Sequence, residues 1–101
     1  MINKNEDPNI TIGEAQPLLE TLSDDLCSEE TANDARAKSG WLALQAYTVK
    51  AYGNPSPPVE QGIQDLLGAL QHTCNHLGLD FSELLERATG TYTEELQNPL
   101  G

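Results

Sequence analysis

Two histidines and an aspartate are the residues whose spacing could bind a metal ion. Asp65, His72 and His76 would lie along one side of a helix, because His72 follows Asp65 by seven positions and His76 follows His72 by four. Imidazole and carboxylate groups bind divalent metals such as zinc. The pattern lacks a glutamate directly after the first histidine, and no further ligand is evident. Two solvated histidines are therefore the favoured interpretation, and no cofactor is predicted.

A second cluster of candidate residues is acidic. Four carboxylates crowd one short stretch of chain: Asp24, Asp25, Glu29 and Glu30. Such a cluster could attract Mg²⁺ or Ca²⁺, but the stretch has neither the glycine nor the alternate-residue spacing of an EF-hand loop. A solvated turn that a protein partner could bind is the favoured interpretation.

The balance of charge limits the classes of partner. The chain has 101 residues, with 16 acidic against 5 basic ones, and a formal net charge of −11. This charge argues against direct binding to nucleic acid or to an anionic membrane. An alternative is that acidic faces imitate DNA, which carries a negative charge about every 1.7 Å along its axis. Without a signal region or a long apolar run, a cytoplasmic protein is expected.

Charge is also distributed unevenly along the chain. Residues 35–59 contain three basic side chains and no acidic one, whereas the segments on either side are strongly acidic. The basic segment could therefore form ion pairs with its acidic neighbours within the protein, but a charge excess that only keeps the chain soluble is the favoured interpretation.

The elements that would position these residues are helices, and the clearest are the last two. About 100° of rotation per residue places seven apolar side chains on one face of a third helix. They are Val59, Ile63, Leu66, Leu67, Leu70, Cys74 and Leu77. A fourth helix has a similar stripe, formed by Phe81, Leu84, Leu85, Ala88, Tyr92 and Leu96. Both stripes predict core faces.

The connection between these two helices is also predicted. Gly78 can take the left-handed conformation that ends a helix, and Asp80 with Glu83 resembles a capping box that begins the next one. Residues 59–96 are therefore predicted to form a helical hairpin with a turn of about two residues.

The first half of the chain is less regular. Pro17 would lie too deep in a helix capped by Thr11 and Glu14, so the first helix is predicted to begin near Ala15. Ser28 is predicted to cap a second helix over residues 29–52, before the break GNPSPP at residues 53–58.

The second helix is apolar on nearly all sides. Either it is the central helix of the core, or its aromatic side chains Trp41, Tyr47 and Tyr52 form a surface for a partner. Self-association through residues 35–52 into a homodimer is a further alternative.

Taken together, these patterns predict an all-α protein, a single-domain bundle of about four helices with a C-terminal hairpin. A helical domain over residues 13–97 is expected between a flexible tail at residues 1–12 and a short tail at residues 98–101.

Residues 35–96 resemble a group of small proteins carried by bacteriophages and mobile elements, which have no assigned chemistry. The resemblance rests on an alanine-rich helix containing Trp41, then DLLGALQH, then GLDF, then RATGTY. It implies a phage-encoded helical protein and names no activity.

The hairpin is also faintly similar to the C-terminal half of all-α, MazG-like nucleotide pyrophosphohydrolases. The similarity rests on Asp65 and on the turn LGLD at residues 77–80. It implies a Mg²⁺-dependent nucleotide hydrolase in which Asp65 is a metal ligand. However, Gly62 stands where that family has a glutamate, and residues 35–59 lack its carboxylates.

Two classes of function follow. The favoured one is a small acidic protein without enzymatic activity that binds a protein partner and regulates or inhibits it. Its predicted contact residues are the three aromatic side chains of the second helix and the four carboxylates of the acidic cluster. The alternative is a degenerate nucleotide hydrolase of the MazG-like type.

Overall fold

Four α-helices make up the regular structure of the residues described by the computed structural model, 9–53 and 57–101. They are α1 (Ile12–Glu20), α2 (Ala32–Tyr52), α3 (Val59–Leu77) and α4 (Phe81–Gln97). The predicted all-α bundle with a C-terminal hairpin is confirmed. None of these helices is both long and apolar enough to span a membrane.

The first helix begins earlier than predicted. Thr11 and Glu14 form a complete capping box, and α1 continues through Pro17. The Thr11 side chain accepts a hydrogen bond from the Glu14 amide, and a Glu14 carboxylate oxygen accepts one from the Thr11 amide. The predicted start near Ala15 is wrong, because this cap and the burial of Ile12 and Ala15 offset the hydrogen bond that a proline cannot donate.

The segment before α1 is tied to the start of α3. The Ile12 amide donates to the carbonyl of Pro57 over 3.0 Å, and the Val59 amide donates to the carbonyl of Ile10 over 2.8 Å. Residues 10–12 are therefore held in place, and the flexible tail predicted over residues 1–12 is wrong for this part. Residues 1–8 lie outside the described range.

The second helix begins three residues later than predicted, at Ala32. Ser28 does not cap it; its side chain accepts a hydrogen bond from the Glu30 amide in a local turn. The Thr31 hydroxyl donates to the carbonyl of Asp25 over 2.7 Å. Short-range bonds between side chains and backbone thus replace the first helical turn in this segment.

Helix α2 lies in the centre of the fold and contacts both α1 and α3. Trp41 and Leu44 are buried with Ile12 and Ala15 of α1. Partly buried side chains surround this cluster, namely Ile10, Leu19, Val59 and Leu66. The sequence allows α2 to be either a central core helix or a partner surface. The side that carries Trp41 and Leu44 belongs to the core.

The turn of the hairpin has the predicted chemistry. Gly78 adopts a left-handed conformation with φ 71° and ψ 26°, and it ends α3. The side chain of Asp80 accepts a hydrogen bond from the Glu83 amide and caps α4. The hairpin and the caps at Gly78 and Asp80 are confirmed, but the Glu83 side chain pairs with Arg87 and does not complete the predicted capping box.

The hairpin is attached to α2 near both of its ends. The start of α3 packs against the second half of α2, where Gly62 lies beside Leu44 and Thr48. The end of α4 is bonded to the first turn of α2: the Asn33 side chain donates to the carbonyl of Glu95 over 2.8 Å, and Arg36 pairs with the Glu95 carboxylate. The three long helices therefore form a three-sided frame whose members meet near their ends.

Candidate functional site

The main surface feature of this chain is a row of exposed apolar side chains along α3 and α4. Eight residues form it and are named here the hairpin face: Ile63, Leu67, Leu70, Leu77, Leu84, Leu85, Tyr92 and Leu96. Their exposed fractions range from 38% at Leu84 to 67% at Leu77. No residue of α4 is buried. The prediction that both stripes are core faces is therefore wrong for most of their length.

The stripes are exposed because α2 covers only a part of the hairpin. Leu66 is partly covered because α2 crosses the first half of α3. Cys74, at 9% exposure, is the one buried member of the stripe beyond that crossing. Among the described residues, α4 is joined to α2 near one end, by the bonds to Glu95. The middle of the hairpin is left without a covering helix.

The energy of leaving this face in water is large for so small a protein. The exposed fractions of the eight side chains add up to about four complete side chains. Full burial of one such side chain stabilises a fold or a complex by about 1.5–3 kcal/mol. Burial of the whole face would therefore contribute about 6–12 kcal/mol. A small domain has a total stability of about 5–15 kcal/mol. A surface of this kind is typical of a protein interaction site.

The hairpin face is also nearly free of charge. In α3, residues 66–77 contain no carboxylate and no lysine or arginine, although Glu60 in the first turn lies beside the stripe. On α4, the side chains of Glu83, Glu86, Arg87 and Glu94 lie about 120° or more from the centre of the apolar stripe and about 60–100° from its nearest member. Glu95 lies within the stripe, but Arg36 neutralises it through an ion pair of 2.8 Å. An apolar partner surface could therefore approach without burying an unpaired charge.

The predicted metal ligands do not come together. Among residues 9–53 and 57–101, no group of three histidine, cysteine or acidic side chains is arranged to hold a metal ion. His72 and His76 are exposed on α3. The Asp65 carboxylate accepts a hydrogen bond from the Tyr52 hydroxyl. The alternative of a metal site at Asp65, His72 and His76 therefore gains no support from this arrangement.

Asp65 instead anchors the end of α2 to α3. Besides the bond from Tyr52, the Asp65 carbonyl accepts a hydrogen bond of 3.3 Å from the Tyr47 hydroxyl. The two tyrosine rings meet edge to face, with centroids 6.3 Å apart. The hydrogen bond to the Asp65 carboxylate raises the pKa of Tyr52 to about 12, and burial and the negative charge add to this effect. The phenol therefore stays protonated as a donor at neutral pH.

Gly62 lies in close contact with α2. A Cβ atom there would stand 3.2 Å from Thr48 Cγ2 and 3.4 Å from Leu44 Cδ1. The glutamate that the MazG-like pattern requires at this position would need the two helices to move apart. The glycine allows the close approach of α3 to α2, and the helix crossing leaves no room for a metal-binding carboxylate.

The three aromatic residues predicted to contact a partner occupy different environments. Trp41 is 4% exposed and belongs to the core, so its ring is not available on the surface. Its indole N–H has no hydrogen-bond partner among the described residues. Tyr47 and Tyr52 are half-buried and bonded to Asp65. The prediction of Trp41 as a partner contact is wrong, because α1 covers its side of α2, whereas the prediction of Tyr47 and Tyr52 as partner contacts stays a prediction.

Part of the homodimer surface predicted on residues 35–52 is also buried within the chain. Trp41, Leu44 and Thr48 are buried within the chain. Leu42 and Val49, on other sides of the helix, are 51% and 67% exposed. The greater part of the exposed apolar surface belongs to the hairpin face instead.

The acidic cluster is exposed, as expected of a solvated turn. Asp24 pairs with the Lys38 amine over 3.1 Å, and the same amine donates to the carbonyl of Leu22. Asp25 accepts a hydrogen bond from the Cys27 amide through its side chain. Together with Arg36–Glu95, the Lys38–Asp24 pair joins the basic middle segment to its acidic neighbours, which is the alternative to plain solubility.

An open groove of about 570 Å³ lies at the turn of the hairpin. It is lined on one side by His72, Asn75 and Gly68, and on the other by Leu79 and Phe81. Ser82 and Asp80 also line it, but no hydrogen bond joins the Ser82 hydroxyl to His72 among the described residues. The groove therefore offers no recognisable catalytic arrangement.

No protein-family model matches this chain, and no curated protein or solved structure has a significant similarity to it. The resemblances noted in the sequence remain predictions, and the site has to be interpreted from its own geometry.

The amphipathic pattern of the sequence identified every residue of the hairpin face, but assigned the face to the core. The pattern shows which side of a helix is apolar and does not show what covers that side.

Proposed function

We propose that this chain is a protein without enzymatic activity that binds another polypeptide through the hairpin face and thereby regulates or inhibits a partner. The observation that carries the proposal is the uncovered apolar surface along α3 and α4. Its length matches that of a helix or helical hairpin in a partner, since α3 and α4 span about 28 and 25 Å.

The surface chemistry supports recognition of a protein more than of other ligands. The face is apolar, with Tyr92 as an aromatic anchor, and the rest of the chain is acidic. A phosphate backbone would meet a net charge of −11 and no basic patch on this face. The resemblance to phage proteins is compatible with an inhibitor of a host protein.

The alternative of a nucleotide hydrolase has less support. Its remaining carboxylate, Asp65, is engaged by Tyr52, and the crossing at Gly62 leaves no space for a second one. Imitation of DNA by the acidic cluster also has less support, because Asp24 is paired with Lys38 and the largest uncovered surface is apolar.

Affinity capture with matched variants would test the proposal. Leu85→Glu places a charge on the hairpin face, whereas Leu18→Glu places the same charge at a similarly exposed leucine of α1. A partner held by the wild type and by Leu18→Glu should be retained at least about tenfold less by Leu85→Glu. It should stay bound when the salt concentration is raised, because apolar contacts are not screened.

Two results would contradict the proposal. One is that every captured protein is lost at raised salt and is retained equally by both variants, which would assign binding to the acidic surface. The other is turnover of a nucleoside triphosphate with Mg²⁺ or Mn²⁺ that disappears in Asp65→Asn, which would make the chain an enzyme.

A further inference from the structure

We propose that, in the free protein, the hairpin face is covered by a second copy of the same chain, so that the apolar stripes of the two hairpins cover each other across a two-fold axis. This inference rests on the proposed function in treating the face as a docking surface, and it adds the identity of the occupant.

The shape of the face fits a copy of itself. It consists of two neighbouring helices of similar length, each with one apolar stripe. An apolar stripe on one helix is buried well against an apolar stripe on a helix of another copy. Across a two-fold axis the same patch is used twice, so one self-complementary surface is sufficient.

The amount of exposed surface is close to what a stable dimer needs. The chain exposes 7574 Å², whereas a folded monomer of 11.0 kDa exposes about 5,600 Å². Even if residues 1–8 and 54–56 are counted as unfolded chain, about 650 Å² of excess remains. Each partner in a standard protein interface buries about 800 Å².

The distribution of charge also favours a second copy. Two chains with a net charge of −11 repel each other, but apart from Glu60 at its edge the hairpin face presents no unpaired carboxylate. The α4 carboxylates Glu83, Glu86 and Glu94 lie on the side that would face water in the dimer. A basic partner would find no opposing charge on this face, whereas an identical apolar face meets it without burying a charge.

Sedimentation velocity of the full chain, from about 1 to about 100 µM, tests the inference. The wild type should shift with concentration toward a mass twice 11.0 kDa. Leu85→Glu and Leu77→Glu should each weaken the dimer at least about 100-fold. Leu18→Glu should leave it unchanged, and the helical circular dichroism of each variant would show that it is folded.

A wild type that stays monomeric up to the highest concentration would overturn the inference. So would a dimer that Leu18→Glu disrupts as strongly as Leu85→Glu and Leu77→Glu. If either Leu85→Glu or Leu77→Glu unfolds the chain, the remaining variant and the mass of the wild type still test the inference.

The outcome is separate from that of the proposed function. A monomeric wild type that captures a partner in a Leu85-dependent manner would overturn the dimer and leave the proposed function standing. A wild-type dimer that Leu85→Glu breaks without affecting capture would support the dimer and contradict partner binding through this face.

Discussion

Gly62 shows how one small residue determines the packing of two helices and excludes one kind of chemistry. The approach of α3 to α2 leaves 3.2 Å between the place of a Cβ atom and the Thr48 side chain. From the sequence, this glycine is a departure from a family pattern that has glutamate at the same place. The structure gives the physical reason, because a carboxylate would have to be buried between Leu44 and Thr48.

Replacing this glycine should destabilise the protein relative to a matched change on the same helix. Alanine gains about 0.8–1 kcal/mol of helix propensity over glycine at either Gly62 or Gly68. Nothing lies within 4 Å of a Cβ atom at Gly68, so Gly68→Ala should keep this gain. The Gly62→Ala variant should have a free energy of unfolding about 1–3 kcal/mol lower than that of the Gly68→Ala variant, because the new methyl group crowds Thr48. Urea denaturation would measure both, and equal stabilities would show that the crossing is not tightly packed.

Local signals in the sequence predicted some elements well and others poorly. The turn at Gly78 and Asp80 was predictable because the chemistry of a cap is contained in a few neighbouring residues. The start of α1 was not, since burial of Ile12 and pairing with Pro57 depend on distant parts of the chain. The exposure of the hairpin face was missed for the same reason: it depends on where α2 crosses α3.

The attachment of α4 to α2 can be tested with two arginines. Arg36 forms an ion pair with Glu95 and also donates to the side chain of Asn33, which holds the Glu95 carbonyl. Arg87 forms an ion pair with Glu83 one turn away on the exposed side of α4. Because the first pair joins two helices, Arg36→Ala should release the end of α4, whereas Arg87→Ala should cost less than about 0.5 kcal/mol.

Amide hydrogen exchange would measure this difference. In Arg36→Ala, protection over residues 91–97 should fall about tenfold, while residues 81–86 stay as in the wild type. Arg87→Ala serves as the control for loss of an arginine from an ion pair. Equal exchange at the end of α4 in both variants would mean that packing, and not the bonds to Glu95, holds this helix in place.

Charge and apolar surface are separated across this protein. The acidic cluster at residues 24–30 and the outer side of α4 carry much of the negative charge, while the hairpin face, apart from Glu60 at its edge, carries none that is unpaired. The two kinds of surface respond to salt in opposite ways. Screening weakens binding to a basic partner, but it reduces the repulsion between two acidic chains that meet through apolar faces.

Self-association should therefore strengthen as salt is added. The Debye length falls from about 30 Å at 0.01 M to about 8 Å at 0.15 M ionic strength, which removes most of the repulsion between two chains of charge −11. The dissociation constant of the dimer, measured by sedimentation, should fall several-fold over this range. In a variant with Glu29→Gln and Glu30→Gln, the net charge becomes −9 and the dependence on salt should be smaller. A dimer that dissociates when salt is added would instead be held by ion pairs, and the hairpin face would not be its interface.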